Sequence, residues 1–120
     1  MKSAALLLTM LAAVAGAGPA CAHAFLERAL PAVGSAVHGP PAEVKLWFSQ
    51  ELEPAFSTVR VLDKSGKQVD RMDKRVDRGD AALLKVSLPP LASGIYRVVW
   101  RVLSVDTHVT EGDFTFEVAP

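Results

Sequence analysis

Two of the three histidines stand where metal chemistry is possible. His23 follows the small-residue run Ala20-Cys21-Ala22. If the chain is cut before it, one residue offers two nitrogens, the free α-amine and the imidazole, which together close a chelate ring. The amine has a reference pKa of about 7.7–8.0, so a metal displaces its proton near neutral pH. Asp106-Thr107-His108 is the second element. On an extended chain residues i and i+2 share a face, so Asp106 and His108 project together while Thr107 points away. An amine, two imidazoles and a carboxylate make a set of three nitrogens and one oxygen. That set suits the tetragonal plane of Cu(II), which stands at the top of the divalent affinity order. Zinc, the competitor, prefers a tetrahedron. Residue types alone leave the plainer alternatives open: a lone His is usually a surface or a satisfied core residue, and Asp-x-His on a rim is equally an ion pair. His38, beside Gly39-Pro40-Pro41, reads as a loop residue outside the site. There is no Gly-x-Ser-x-Gly elbow and no Gly-rich phosphate loop, and the single Cys precedes His23.

Freeing the amine of His23 requires proteolysis, and the N-terminus carries the pattern for it. Met1-Lys2 is a short positive end, Ala4 to Ala17 is largely apolar, Gly18-Pro19 breaks the run, and Ala20-Cys21-Ala22 fits small-x-small cleavage. Residues 1–22 therefore read as a cleaved signal peptide and 23–120 as one exported, Cys-free domain. The apolar run is shorter than the roughly 20 residues a membrane span needs. Cys21 lacks the aliphatic residue of a lipobox. The 13 basic and 13 acidic residues cancel, which argues against a nucleic-acid partner. A soluble monomer is the expectation.

Strands must position these groups. Val44, Leu46 and Phe48 alternate with polar or outward residues, as do Val59 and Val61, then Leu84, Val86 and Leu88. Tyr96, Val98, Trp100 and Val102 take one side of a long run whose other side carries Arg97 and Arg101. Phe114, Phe116 and Val118 form the last alternation. The punctuation is turn chemistry: Gly39-Pro40-Pro41, Lys64-Ser65-Gly66-Lys67, Arg78-Gly79-Asp80, Pro89-Pro90, Ser93-Gly94 and Glu111-Gly112-Asp113. Short strands at this spacing predict an all-β sandwich or small barrel. The polar stretch from Asp63 to Lys85 reads as a solvated hairpin or loop. Continuing the even-numbered parity past Val102 leads to Ser104, Asp106 and His108. An Asp is rarely buried unpaired, so this pair is expected at the rim, where the strand ends or bulges.

These segments resemble a known family. His23-Ala24-Phe25-Leu26 with Pro31-Ala32-x-Gly34 is similar to the start of the CopC family of periplasmic copper-binding proteins, and Val44 to Ser49 to its next strand. Gly94 to His108, followed by Gly112-x-Phe114-x-Phe116, resembles its C-terminal signature. The resemblance implies an immunoglobulin-like Greek-key β-sandwich in the periplasm. It implies one Cu(II) per chain, held by His23 through amine and imidazole, by Asp106 and by His108. It also implies a carrier or buffer in copper homeostasis and resistance rather than an enzyme, with an inner-membrane copper-transport protein as partner. Where relatives carry a Glu after Phe-Ser, this chain has Gln50, a neutral amide that could only hydrogen-bond to the site; Glu51, one residue on, has the opposite strand parity. Relatives with a Met-rich loop bind Cu(I), but Met72 is the only Met after residue 22, so no Cu(I) thioether site is expected. Two rivals stand beside this reading. One is a histidine-brace copper mono-oxygenase, the other a metal-free immunoglobulin-like adhesion or assembly module.

Overall fold

The computed structural model describes residues 24–120. Eight strands run in the order β1 (Leu26–Leu30), β2 (Ala36–His38), β3 (Glu43–Phe48), β4 (Thr58–Leu62), β5 (Arg75–Val76), β6 (Leu83–Ser87), β7 (Gly94–Leu103) and β8 (Val109–Ala119). Among the described residues one 3-10 turn, Pro54–Phe56, interrupts them. They form two four-stranded sheets, β1-β3-β6-β5 and β2-β8-β7-β4. β3 and β6 pair although β4 between them joins the other sheet, so the chain crosses the sandwich between hydrogen-bonded neighbours. All pairings are antiparallel except β2 with β8.

The alternation in the sequence is the alternation of burial. Val44, Leu46, Phe48, Leu84 and Val86 from one sheet meet Val59, Val61, Tyr96, Val98, Trp100, Val102, Phe114, Phe116 and Val118 from the other. Each such side chain contributes about 1.5–3 kcal/mol through removal from water. The edge of Phe48 meets the indole of Trp100 at 5.2 Å between ring centres. On the outer face of the first sheet the Arg28 guanidinium lies 4.5 Å from the Trp47 ring centre.

Three sequence expectations need correcting. Glu111-Gly112-Asp113 is not a turn but the interior of β8, with Gly112 opposite Trp100. The glycine is there for space: a Cβ at Gly112 would lie 2.5 Å from Cζ2 of Trp100. His38 is the last residue of a strand rather than a loop residue. The polar stretch from Asp63 holds the expected hairpin, β5 paired with β6, but it is not solvated throughout. It also contains the buried Asp70, whose carboxylate accepts from Val61 N at 2.8 Å, Met72 N at 3.0 Å and Gln68 Nε2 at 3.1 Å. Asp70 thereby occupies the free edge of β4, which would otherwise present an unpaired N–H. β1 and β2 carry no legible alternation in the sequence. β1 has a register shift between Leu26 and Arg28, and β2 is three residues long.

Candidate metal centre

β7 ends at Leu103, and the chain turns back into β8 through residues 104–108. Two other segments meet it there. Ser104 bridges to Leu52, Glu53 N donates to Leu103 O at 2.8 Å, and Val105 N donates to Glu51 O at 3.0 Å. The third segment is the beginning of the described chain. Phe25 N donates to Ser49 Oγ at 2.8 Å, and Ser49 N donates to Phe25 O at 2.8 Å. Ala24, fully buried, accepts from Thr110 Oγ1 through its carbonyl at 2.9 Å. Residue 24 is thus tied to a residue 86 positions later.

The turn itself is closed by short-range bonds. Ser104 N donates to His108 O at 3.0 Å, and Thr107 N donates to Ser104 O at 2.9 Å. Thr107 takes a positive φ of 71°, the left-handed conformation that a tight reversal demands and that costs a non-glycine residue energy. Asp106 and His108 come together on this turn, with His108 Nδ1 3.4 Å from Asp106 Oδ1. Their side chains are 39% and 44% exposed. His108 Nδ1 has almost no exposed surface, so the exposed part of the imidazole lies elsewhere on the ring. The Ser104 hydroxyl donates to Asp106 Oδ1. That hydrogen bond foremost, together with the nearby imidazole and against some desolvation, holds the Asp106 carboxyl below its ordinary range. It therefore presents an anion at neutral pH.

Of the residues expected in the site, the structure brings Asp106 and His108 together at the end of the sandwich. His23 lies outside the described residues, one position before the anchored Ala24. Gln50 is half-buried in the bend after β3. That strand ends at Phe48, so strand parity does not extend to residues 50 and 51. Glu51 meets the turn through its backbone carbonyl. His38 aligns with Ala119 at the opposite end of β8 from His108, about 35 Å away at the rise of an extended strand. Among the described residues, no three His, Cys, Asp or Glu side chains gather at one point. An anionic oxygen and an imidazole at 3.4 Å make half of a metal-binding set, and they fit a borderline divalent ion.

Sequence reading overlooked Ser104 and Thr110 as contributors. Ser104 had a signal, since it shares the parity of Asp106 and His108, whereas nothing local marks Thr110 as the partner of Ala24. A groove of about 510 Å³ lies elsewhere, on the outer face of β4, β7 and β8. Its walls include Arg97 paired with Asp113 and Arg101 paired with Glu111. Neither Asp106 nor His108 lines it. No helix among the described residues is long and apolar enough to cross a membrane.

Comparison with known proteins gives a consistent result. The CopC domain profile matches residues 26–119. Protein YobA of Escherichia coli K12 is 34% identical over 98 residues, covering 81% of this chain and 79% of that protein. Copper resistance protein C of Escherichia coli is 34% identical over 106 residues, covering 82% and 83%. Among solved structures, the crystal structure of CopC from Methylosinus trichosporium OB3b superposes with a TM-score of 0.76 at 38% identity. It covers 82% of this chain and 95% of that one.

Proposed function

Because the chain belongs to the CopC family, we propose that it is an exported copper-binding protein that captures one Cu(II) per chain and hands it on to a partner protein. In this reading cleavage after Ala22 frees the amine of His23, and the protein works in the periplasm. The ligands are His23 through amine and imidazole, Asp106 through its carboxylate and His108 through its imidazole. The ion is cargo, and no reaction is carried out on it. The observation that carries the proposal is the Asp106–His108 pair at 3.4 Å, half-exposed at the end of the sandwich where the backbone of Ala24 is anchored. One turn supplies a carboxylate and an imidazole, and the backbone of residue 24, to which His23 is covalently joined, is tied to Thr110, two residues past His108. Copper resistance protein C, a relative over four-fifths of the chain, supports copper as the ion.

Binding needs deprotonated ligands, so affinity falls on acidification. The test is a Cu(II) titration against a competing chelator, followed by Trp47 and Trp100 fluorescence and by mass spectrometry. It compares protein beginning at His23 with protein carrying one extra Ala before it. Stoichiometric binding by the first and sharply weaker binding by the second is the expected result. Equal affinity, or no stoichiometric binding by either, would overturn the proposal.

A further inference from the structure

Ser104 is fully buried beneath the turn, and its polar atoms all serve that turn. Its hydroxyl contacts three groups: Asp106 Oδ1, His108 O at 3.2 Å and His108 N at 3.3 Å. A hydroxyl has one proton to give and two lone pairs to receive with. The His108 N–H donates to Oγ. The single proton goes to the Asp106 carboxylate, the closest of the three and the charged acceptor, where such a bond is strongest. His108 O is satisfied separately by the Ser104 backbone N–H at 3.0 Å. The result is a relay from His108 N–H through Ser104 Oγ–H to Asp106 Oδ1. It ties the backbone of one candidate ligand to the side chain of the other.

We propose that Ser104 is a positioning residue of the candidate metal centre: its buried hydroxyl sets the Asp106 carboxylate and the His108 backbone in their ion-receiving arrangement before an ion arrives. An Ala here would keep both backbone bonds that close the turn. It would remove the acceptor of the His108 N–H and the donor to Asp106, releasing the carboxylate to rotate. The inference rests on the Cu(II) reading above, and goes beyond it by assigning affinity to a side chain that never touches the ion.

Ser57 supplies the control. It is equally buried, and its hydroxyl accepts from Leu103 N at 3.2 Å, one residue from Ser104, without contact to Asp106. Ser104→Ala and Ser57→Ala are compared with the unmodified protein beginning at His23 by thermal melting, chelator-competed Cu(II) titration and Cu(II) electron paramagnetic resonance. Both variants should melt earlier. Only Ser104→Ala should lose about tenfold or more in Cu(II) affinity, the loss typical of groups that orient metal ligands, and only it should change the copper hyperfine splitting. Amide exchange in the unmodified protein supplies a second reading that needs no variant to fold. Thr107 and His108, whose amides donate to Ser104 O and Oγ, should already be protected from exchange without metal.

Wild-type affinity and spectrum in Ser104→Ala would overturn the positioning role alone. The same holds for equal affinity losses in the two variants, or for a turn that becomes protected only when copper binds. Failure of the unmodified protein to bind Cu(II) would instead remove the functional reading itself, and the positioning role with it.

Discussion

Thr110→Val tests whether the start of the domain is held in place for metal binding. The substitution keeps the branched shape and replaces the hydroxyl with a methyl. It deletes the 2.9 Å bond to the carbonyl of Ala24, the residue that follows His23. Ala24 is fully buried, so its carbonyl loses a partner where water does not readily replace it. A neutral hydrogen bond is worth about 0.5–1.5 kcal/mol net, and an abandoned buried acceptor costs about 1–3 kcal/mol. The two Phe25–Ser49 bonds remain and keep the segment near its place, so the lower range applies. Taking about 1 kcal/mol, and tenfold per 1.4 kcal/mol, a segment that must be seated to bind the ion should lose roughly fivefold in Cu(II) affinity. The assay is chelator-competed titration of Thr110→Val and Thr110→Ser, each beginning at His23, with hydrogen exchange at Phe25 as the structural readout. Thr110→Ser keeps the hydroxyl and should stay near wild type. If Thr110→Val exchanges faster at Phe25 yet binds copper with unchanged affinity, the idea that seating residue 24 helps to present His23 is wrong.

Two further outcomes follow from the same geometry. Gly112→Ala should destabilise the fold by about 1–3 kcal/mol, the cost of overpacking a well-filled core. The new Cβ would meet three indole atoms of Trp100 at 2.5, 3.0 and 3.1 Å, and Phe48 packs against the same ring; a urea midpoint within error of wild type would contradict this. Acid should destabilise the domain in a window below about pH 4. Asp63, Asp73, Asp77 and Asp106 are all held below the ordinary carboxylate value, chiefly by Ser65, Ser87, Lys85 and Ser104 respectively. The unfolded chain binds more protons there, so their contribution is complete above the ordinary value of 3.8 and is lost as pH falls through the folded-state values. Circular dichroism across an acid series checks this, and metal-free protein whose stability is flat down to pH 2 would speak against it.

The parts of the fold legible in the sequence are those where one face of a strand is buried and the other is wet. β3, β4, β6, β7 and the second half of β8 alternate because the core lies on one side only. The pairing of Asp106 with His108 was legible for a related reason, since their spacing allows a shared side and an Asp belongs at a rim. The structure reaches the pairing by another route, a turn with Thr107 in the left-handed region rather than an extended strand. What stayed hidden depends on partners far along the chain. Glu111-Gly112-Asp113 has the letters of a turn, and only Trp100 on the neighbouring strand explains why glycine sits inside β8. Asp70 sits in the most polar stretch, yet is buried because the edge of β4 needs an acceptor. The tie between Thr110 and Ala24 spans 86 positions, and no local pattern encodes such a contact.

An ion carrier faces opposed requirements, and the proposed centre separates them spatially. Release requires that the ligands be reachable without opening the core, and Asp106 and His108 are about two-fifths exposed. Affinity requires that little freedom be lost when the ion arrives, because ordering flexible groups subtracts directly from binding. The groups that supply that order are buried and are not among the proposed ligands: Ser104, under the turn, and Ala24, tied to Thr110. Substitutions in this layer act on the metal-free state, raising its freedom, and should weaken capture while leaving the exposed ligands as accessible as before. Substitutions of Asp106 or His108 remove donor atoms and should change the coordination itself. The two classes are therefore separable by one comparison. A supporting-layer variant should regain most of its affinity when the segment it holds (the turn for Ser104, the start of the domain for Thr110) is rigidified by other means, whereas a ligand variant should not.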